Sequence, residues 1–133
     1  MDLSHHSENT VAYALRIARG FGAAITLVHV YPPEPITYFT MERIHDCFAE
    51  ERLSAEQKLE DLSERIRQTY PSCSAEFCMG NPAEEVALIA TKLNADLIVT
   101  ASHHRSFLGQ LFNLDQAPKI THRAPCPVLI YHE

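Results

Sequence analysis

Residues 80–106 read GNPAEEVALIATKLNADLIVTASHHRS, a helix feeding a strand. Asn81 is placed to cap the helix and Pro82 suits its first position. Glu84 and Glu85 face the positive end of the helix dipole. Val86, Ile89, Ala90 and Leu93 recur at helical spacing and are expected to point inward. ADLIVTA, residues 95–101, then reads as a strand buried on both faces. The apolar run stops at Ser102, and His103, His104, Arg105 and Ser106 follow. The carboxyl end of a strand passing into a helix is where α/β proteins bind ligands. Phosphate sites there use glycine so that backbone can approach the ligand. Between Leu97 and Asp115 the one glycine is Gly109, well past the turn.

The same alternation extends in both directions. Upstream, a helix is expected to start near Ser7, with Ser4 or Ser7 as cap and Glu8 in the first turn. Val11, Ala14, Leu15 and Ala18 give it one apolar face, and Gly20 and Gly22 end it. AAITLVHVY, residues 23–31, is β-branched and nearly all apolar, a second doubly covered strand. PPEP, residues 32–35, leaves regular structure. A long helix is expected over residues 40–68, with Ile44, Phe48, Ala55, Leu59, Leu62 and Ile66 as its apolar stripe. Residues 74–79, SAEFCM, read as a short edge strand. Downstream, a helix over residues 106–122, disturbed at Pro118, precedes a last strand in CPVLIYHE, residues 126–133.

Helices alternating with strands argue an α/β fold, a doubly wound parallel sheet with helices on both faces, in one domain over residues 1–133. Such a sheet ordinarily begins with a strand, and this sequence opens MDLS directly at a helix. The expectation is therefore that strand 1 is largely missing before Met1. About five to seven apolar residues would supply it, or another segment fills its place.

The net charge of −6 argues against nucleic acid and anionic membranes as partners. No apolar run approaches the ~20 residues of a membrane span. Cys47, Cys73, Cys78 and Cys126 form no C-x-x-C pair and read as reduced, mostly buried thiols. These features suggest a soluble, cytoplasmic protein.

The segments DLSHHSENTVAYALRIARGFGAAITLVHVY, GNPAEEVALIATKLNADLIVTASHHRS and APCPVLI, in that order, resemble the universal stress proteins. The resemblance implies an adenine-nucleotide alpha-hydrolase-like, Rossmann-like sandwich of three layers, with a five-stranded parallel sheet of order 3-2-1-4-5. It also implies a homodimer and a cytoplasmic role in stress response. One kind within the family binds ATP through G-x-x-G, nine residues, then G-S or G-T. Laid on this sequence, those positions fall on Ala101, His104, Leu114 and Asp115, and all four depart. The chain is thus more similar to the universal stress protein A kind, which lacks the motif. The physics points the same way: the His104 ring disfavours φ > 0, Leu114 offers no donor, and the Asp115 carboxylate repels phosphate.

The leading expectation is a non-catalytic, homodimeric stress-response factor with a degenerate nucleotide site and no cofactor. The alternative is an ATP-binding universal stress protein, with Asp2, Val30, Thr100, Ala101, Arg105 and Ser106 around the ligand. A third reading gives a metal to the pairs His5, His6 and His103, His104. Adjacent side chains diverge, however, and no cysteine completes that set. With the phosphate motif lost, Asp2 reads first as a helix-capping or turn carboxylate. Ser102 or Ser106 beside His103 lacks the elbow and orienting acid of a hydrolase. His29 reads as a packed, hydrogen-bonded core residue. The charged run from Glu50 to Arg67 reads as a solvated helix face with i,i+4 pairs. The apolar last strand is expected at the sheet edge, pairing with its copy through Val128 and Ile130 or Leu129 and Tyr131.

Overall fold

A computed structural model describes residues 5–32, 41–102 and 116–132. Among the described residues eight elements follow one another: α1 His5–Phe21, β1 Ile25–Tyr31, α2 Met41–Arg67, β2 Cys73–Met79, α3 Pro82–Lys92, β3 Ile98–Ser102, α4 Ala117–Arg123 and β4 Val128–His132. Seven of them lie where hydrophobic periodicity places them, within two or three residues at most ends; the helix expected over residues 106–122 is described only from Ala117, where Pro118 stands in its first turn instead of disturbing its middle, and residues 103–115 lie outside the described residues. Ser7 is an exception in kind. It is the third residue of α1 and is buried, so it is not a cap. Ser4 lies outside the described residues.

The strands form two parallel pairs. β1 runs beside β2 with Leu27 opposite Ala75 and Tyr31 opposite Met79. β3 runs beside β4 with Ile98 opposite Val128 and Ala101 opposite Tyr131. Among the described residues these are two separate two-stranded sheets rather than one continuous sheet. Helices tie them together. α1 supplies Val11 and Leu15 to the core around Leu27 and also packs on β3, while its Tyr13 ring lies 5.3 Å from that of Tyr131 in β4. α3 packs on β1 and on α4, and α4 packs on β3 and β4.

The core sits between α1, α2 and the first strand pair. Val11, Leu27, Leu59, Ile66 and Cys73 are its buried centre, with Leu15, Ile25, Leu62, Tyr70, Ala75 and Phe77 around them. The predicted stripe of α2 is thus the buried one, as far as its described side chains go; those of Ile44 and Phe48 lie outside that set. Ser63 extends the stripe. It is fully buried and satisfies its hydroxyl by donating to the Glu60 carbonyl at 2.9 Å. The opposite face of α2 is solvated. Arg67 pairs with Glu60 at 2.6 Å and Glu64 at 2.8 Å, and Gln57 donates to Asp61 at 2.8 Å. Tyr70 closes the helix against the first loop, its hydroxyl meeting the carbonyls of Ala18 and Ala23.

Two burial expectations are corrected. Leu93 was expected inward but is 45% exposed, because it is the C-cap of α3 and Asn94 follows at φ +52, turning the chain away. The strands expected to be fully buried are not: of β1 only Leu27 and Tyr31 are buried, and of β3 only Ser102. The thiols also divide, with Cys73 buried and Cys78 and Cys126 half-buried, all three free.

Candidate functional site

The carboxyl ends of β1 and β2 meet the start of α3. The Gly80 amide donates to the Tyr31 carbonyl at 3.0 Å, which locks the two strand ends together. Gly80 adopts φ +143, a conformation reserved for glycine, and a Cβ there would lie 2.9 Å from Glu85 Oε1. The chain then enters α3 as the sequence dictates. Asn81 Oδ1 accepts from the amides of Ala83 at 3.1 Å and Glu84 at 3.3 Å, and Pro82 needs no partner for a missing N–H. The helix's first donors are therefore consumed by its own cap. Two carboxylates, Glu84 and Glu85, stand in the same turn. This helix start is built against an anion.

Tyr31 ends β1 buried, its hydroxyl donating to Glu51 Oε2 of α2 at 3.1 Å. Nothing in the periodicity announced that bond; it joins two residues that only the fold brings together. His29, one turn of the pleat earlier, is half-buried with its ring 5.7 Å from Phe77. That agrees with a packed histidine.

Three of the six residues assigned to a nucleotide are described. Val30 sits in β1 opposite Cys78; Thr100 and Ala101 sit in β3 opposite Ile130 and Tyr131. All three are half-buried. The structure thus places Val30 in one strand pair and Thr100 and Ala101 in the other, near the carboxyl ends of both. Asp2, Arg105 and Ser106 lie outside the described residues, as do His103, His104, Leu114 and Asp115.

The other chemistries gain nothing from the geometry. Ser102 is 2% exposed at the end of β3, an inaccessible position for a nucleophile. Burial pushes the Cys73 thiol up, and burial with the charges of Glu85 and Glu76 does the same for Cys78. Neither is the lowered thiolate that cysteine catalysis needs. No group of three or more metal-binding side chains occurs among the described residues, and the side chains of His5 and His6 lie outside them. No described helix is long and apolar enough to cross a membrane.

A sequence profile described as the universal stress protein family matches residues 1–132. The chain belongs to that family. A Thermus aquaticus protein named as the universal stress protein in the QAH/OAS sulfhydrylase 3′ region is 33% identical over 135 residues, covering 97% of this chain and 92% of the relative. A Coxiella burnetii protein named universal stress protein A homolog 1 is 29% identical over 132 residues, covering 97% of this chain and 90% of the relative. Among solved structures, the chain superposes on the universal stress protein UspA from Lactobacillus plantarum with a TM-score of 0.76 at 19% identity, over 98% of this chain and 92% of that one. A universal stress protein solved in complex with cAMP gives 0.67 at 18% identity, over 99% and 92% of the two chains. At such identities the structural likeness shows the α/β fold of parallel strands and helices.

Proposed function

We propose that the chain is a non-catalytic, cytoplasmic stress-response factor of the kind that does not bind ATP, working as a homodimer. Its sheet takes the order 3-2-1-4-5 within a three-layer sandwich, and its nucleotide site is degenerate. The observation that carries the reading is the replacement of every phosphate-contacting position of the motif, at Ala101, His104, Leu114 and Asp115. The capped, doubly acidic start of α3 supports it, since no second anion cradle stands there in reserve. Each 1.4 kcal/mol lost weakens binding about tenfold, so losing a few kcal/mol takes a micromolar site to millimolar. Calorimetry of Mg-ATP against the purified protein is therefore expected to show no saturable heat below about a millimolar. Micromolar binding would overturn the reading.

The second reading, nucleotide binding around Asp2, Val30, Thr100, Ala101, Arg105 and Ser106, draws on one observation: a matched structure is a complex with cAMP. A parallel titration with cAMP decides it. Saturable binding there, with none of Mg-ATP, favours a monophosphate site, which lacks the triphosphate that Asp115 repels.

The dimer is assigned to β4. The Ile98 amide donates to the Pro127 carbonyl, so Pro127, Leu129 and Tyr131 turn their backbone towards β3. Val128 and Ile130 turn theirs to the outer edge. The outer strand of the other pair, β2, carries Ser74 and Glu76, and a charged edge resists pairing. β4 is apolar from Val128 to Tyr131. Light scattering at micromolar concentration is expected to give twice the chain mass. Ile130→Pro removes an outward N–H without touching the β3 ladder and is expected to give a monomer. A wild-type monomer, or an Ile130→Pro dimer, would refute this interface.

A further inference from the structure

Two consecutive residues of α2 hold the carboxyl ends of β1 and β2. Tyr31 and Met79 are the last residues of these strands and stand opposite each other in register. Tyr31 donates its hydroxyl to Glu51 Oε2 at 3.1 Å. Arg52 Nη1 donates to the Met79 sulfur at 3.6 Å. The Gly80 amide, donating to the Tyr31 carbonyl at 3.0 Å, joins the two strand ends to each other. The four side chains form a clamp where the chain leaves the sheet for α3.

The two halves of the clamp differ in chemistry. Tyr31 is 8% exposed and meets a carboxylate, whereas Met79 is 40% exposed and offers only a thioether, a weak acceptor. A guanidinium carries five donors in a fork shaped for strongly polar oxygens. Among the described residues no carboxylate pairs with Arg52, Glu56 at i,i+4 spacing included. A strong cationic donor is thus aimed at an accessible soft sulfur, and that sulfur can acquire an oxygen.

We propose that Met79 is a peroxide-oxidation site and that Arg52 captures the sulfoxide formed there. The sulfur lone pair attacks one oxygen of hydrogen peroxide, so an S–O bond forms as the O–O bond breaks. The second oxygen leaves with the proton of the first and departs as water. Sulfur is oxidised by two electrons and the peroxide is reduced by two. In an apolar core the new oxygen has no partner and disrupts packing. Here the flexible methionine side chain brings it onto the guanidinium already in contact, and a charge-assisted bond replaces a weak one. Oxidation therefore tightens α2 on the strand ends, and a methionine sulfoxide reductase restores the weaker contact. The thiols of the same strand compete poorly, because burial raises both Cys73 and Cys78 and the thiolate is their reactive form.

The test treats three proteins with hydrogen peroxide: the parent chain, Arg52→Leu and Met79→Leu. Dithiothreitol then returns disulfides and sulfenic acids to thiols and leaves sulfoxides in place. Peptide mass mapping is expected to find one added oxygen on Met79 at a dose that converts free methionine. The oxidised parent is expected to melt no lower than the reduced parent, whereas oxidised Arg52→Leu melts about 3 °C or more below its own reduced form. Methionine sulfoxide reductase is expected to reverse that drop, and Met79→Leu to melt alike with and without peroxide. A Met79 that stays a thioether at that dose overturns the proposal. So does an equal drop in the parent and Arg52→Leu, which would mean that Arg52 captures nothing. A drop in Met79→Leu as large as that in Arg52→Leu would place the effect at another residue and refute it as well.

Discussion

Leu59→Ala is expected to cost about 2–5 kcal/mol of unfolding free energy, the usual range for emptying a fully packed leucine site. Leu59 is 2% exposed and stands at the centre of the cluster that joins α1, β1, α2 and β2. Its neighbours come from four elements, so they cannot collapse into the space together, and the cavity term stays large. Domains of this size hold about 5–15 kcal/mol in all, so this one change takes a large share. Leu53→Ala is the matched control: it lies on the same helix but is 59% exposed, and it is expected to shift stability by less than about 0.5 kcal/mol. Urea unfolding followed by circular dichroism measures both. A loss below about 1 kcal/mol at Leu59 would mean that α2 does not pack on β1 and β2 as described.

The helix faces and strand positions were legible because each rests on local chemistry. Asn81 and Pro82 mark the start of α3 by capping and by a fixed φ, and both work within one turn. The stripe from Leu59 to Ile66 follows from a 3.6-residue period. What sequence reading missed depends on chain direction or distance. Ser63 looks polar, but back-bonding to Glu60 lets it sit in the core. Ser7 looked like a cap only because the helix start was placed too late. Leu93 kept the apolar period one residue past the end of the helix. The half-exposure of β1 and β3 was invisible for a different reason. Apolar runs report the sheet interior for which these strands are suited, whereas exposure reports the neighbours they have. The candidate site divides the same way. Val30, Thr100 and Ala101 fall near strand ends, where alternation puts them, while Gly80 and the Tyr31–Glu51 bond show themselves only in three dimensions.

The four altered motif positions make the absence of ATP binding reversible in principle, and that gives the functional reading its strongest test. The combined variant Ala101→Gly, His104→Gly, Leu114→Gly and Asp115→Ser is expected to bind Mg-ATP at least about tenfold more tightly than the parent. Most of the gain is assigned to Asp115, since two unit charges ~4 Å apart repel by about 4 kcal/mol at an effective dielectric constant of 20. The glycines act by admitting backbone to phosphate and by permitting positive φ at the turn. The same changes carry a stability cost. Each new glycine frees the unfolded backbone by roughly 0.5–1 kcal/mol, and Ala101 sits within β3 opposite Tyr131, where strand pairing feels the loss directly. The variant is therefore expected to melt below the parent without ligand and to recover part of the difference with Mg-ATP, because ligand that binds only the folded state stabilises it. Calorimetry and thermal melting read the two effects separately. A parent that already binds as tightly as the variant would refute the degenerate site. A variant that binds no better, while still folded, would place the obstacle outside these four residues and overturn their assignment as the cause.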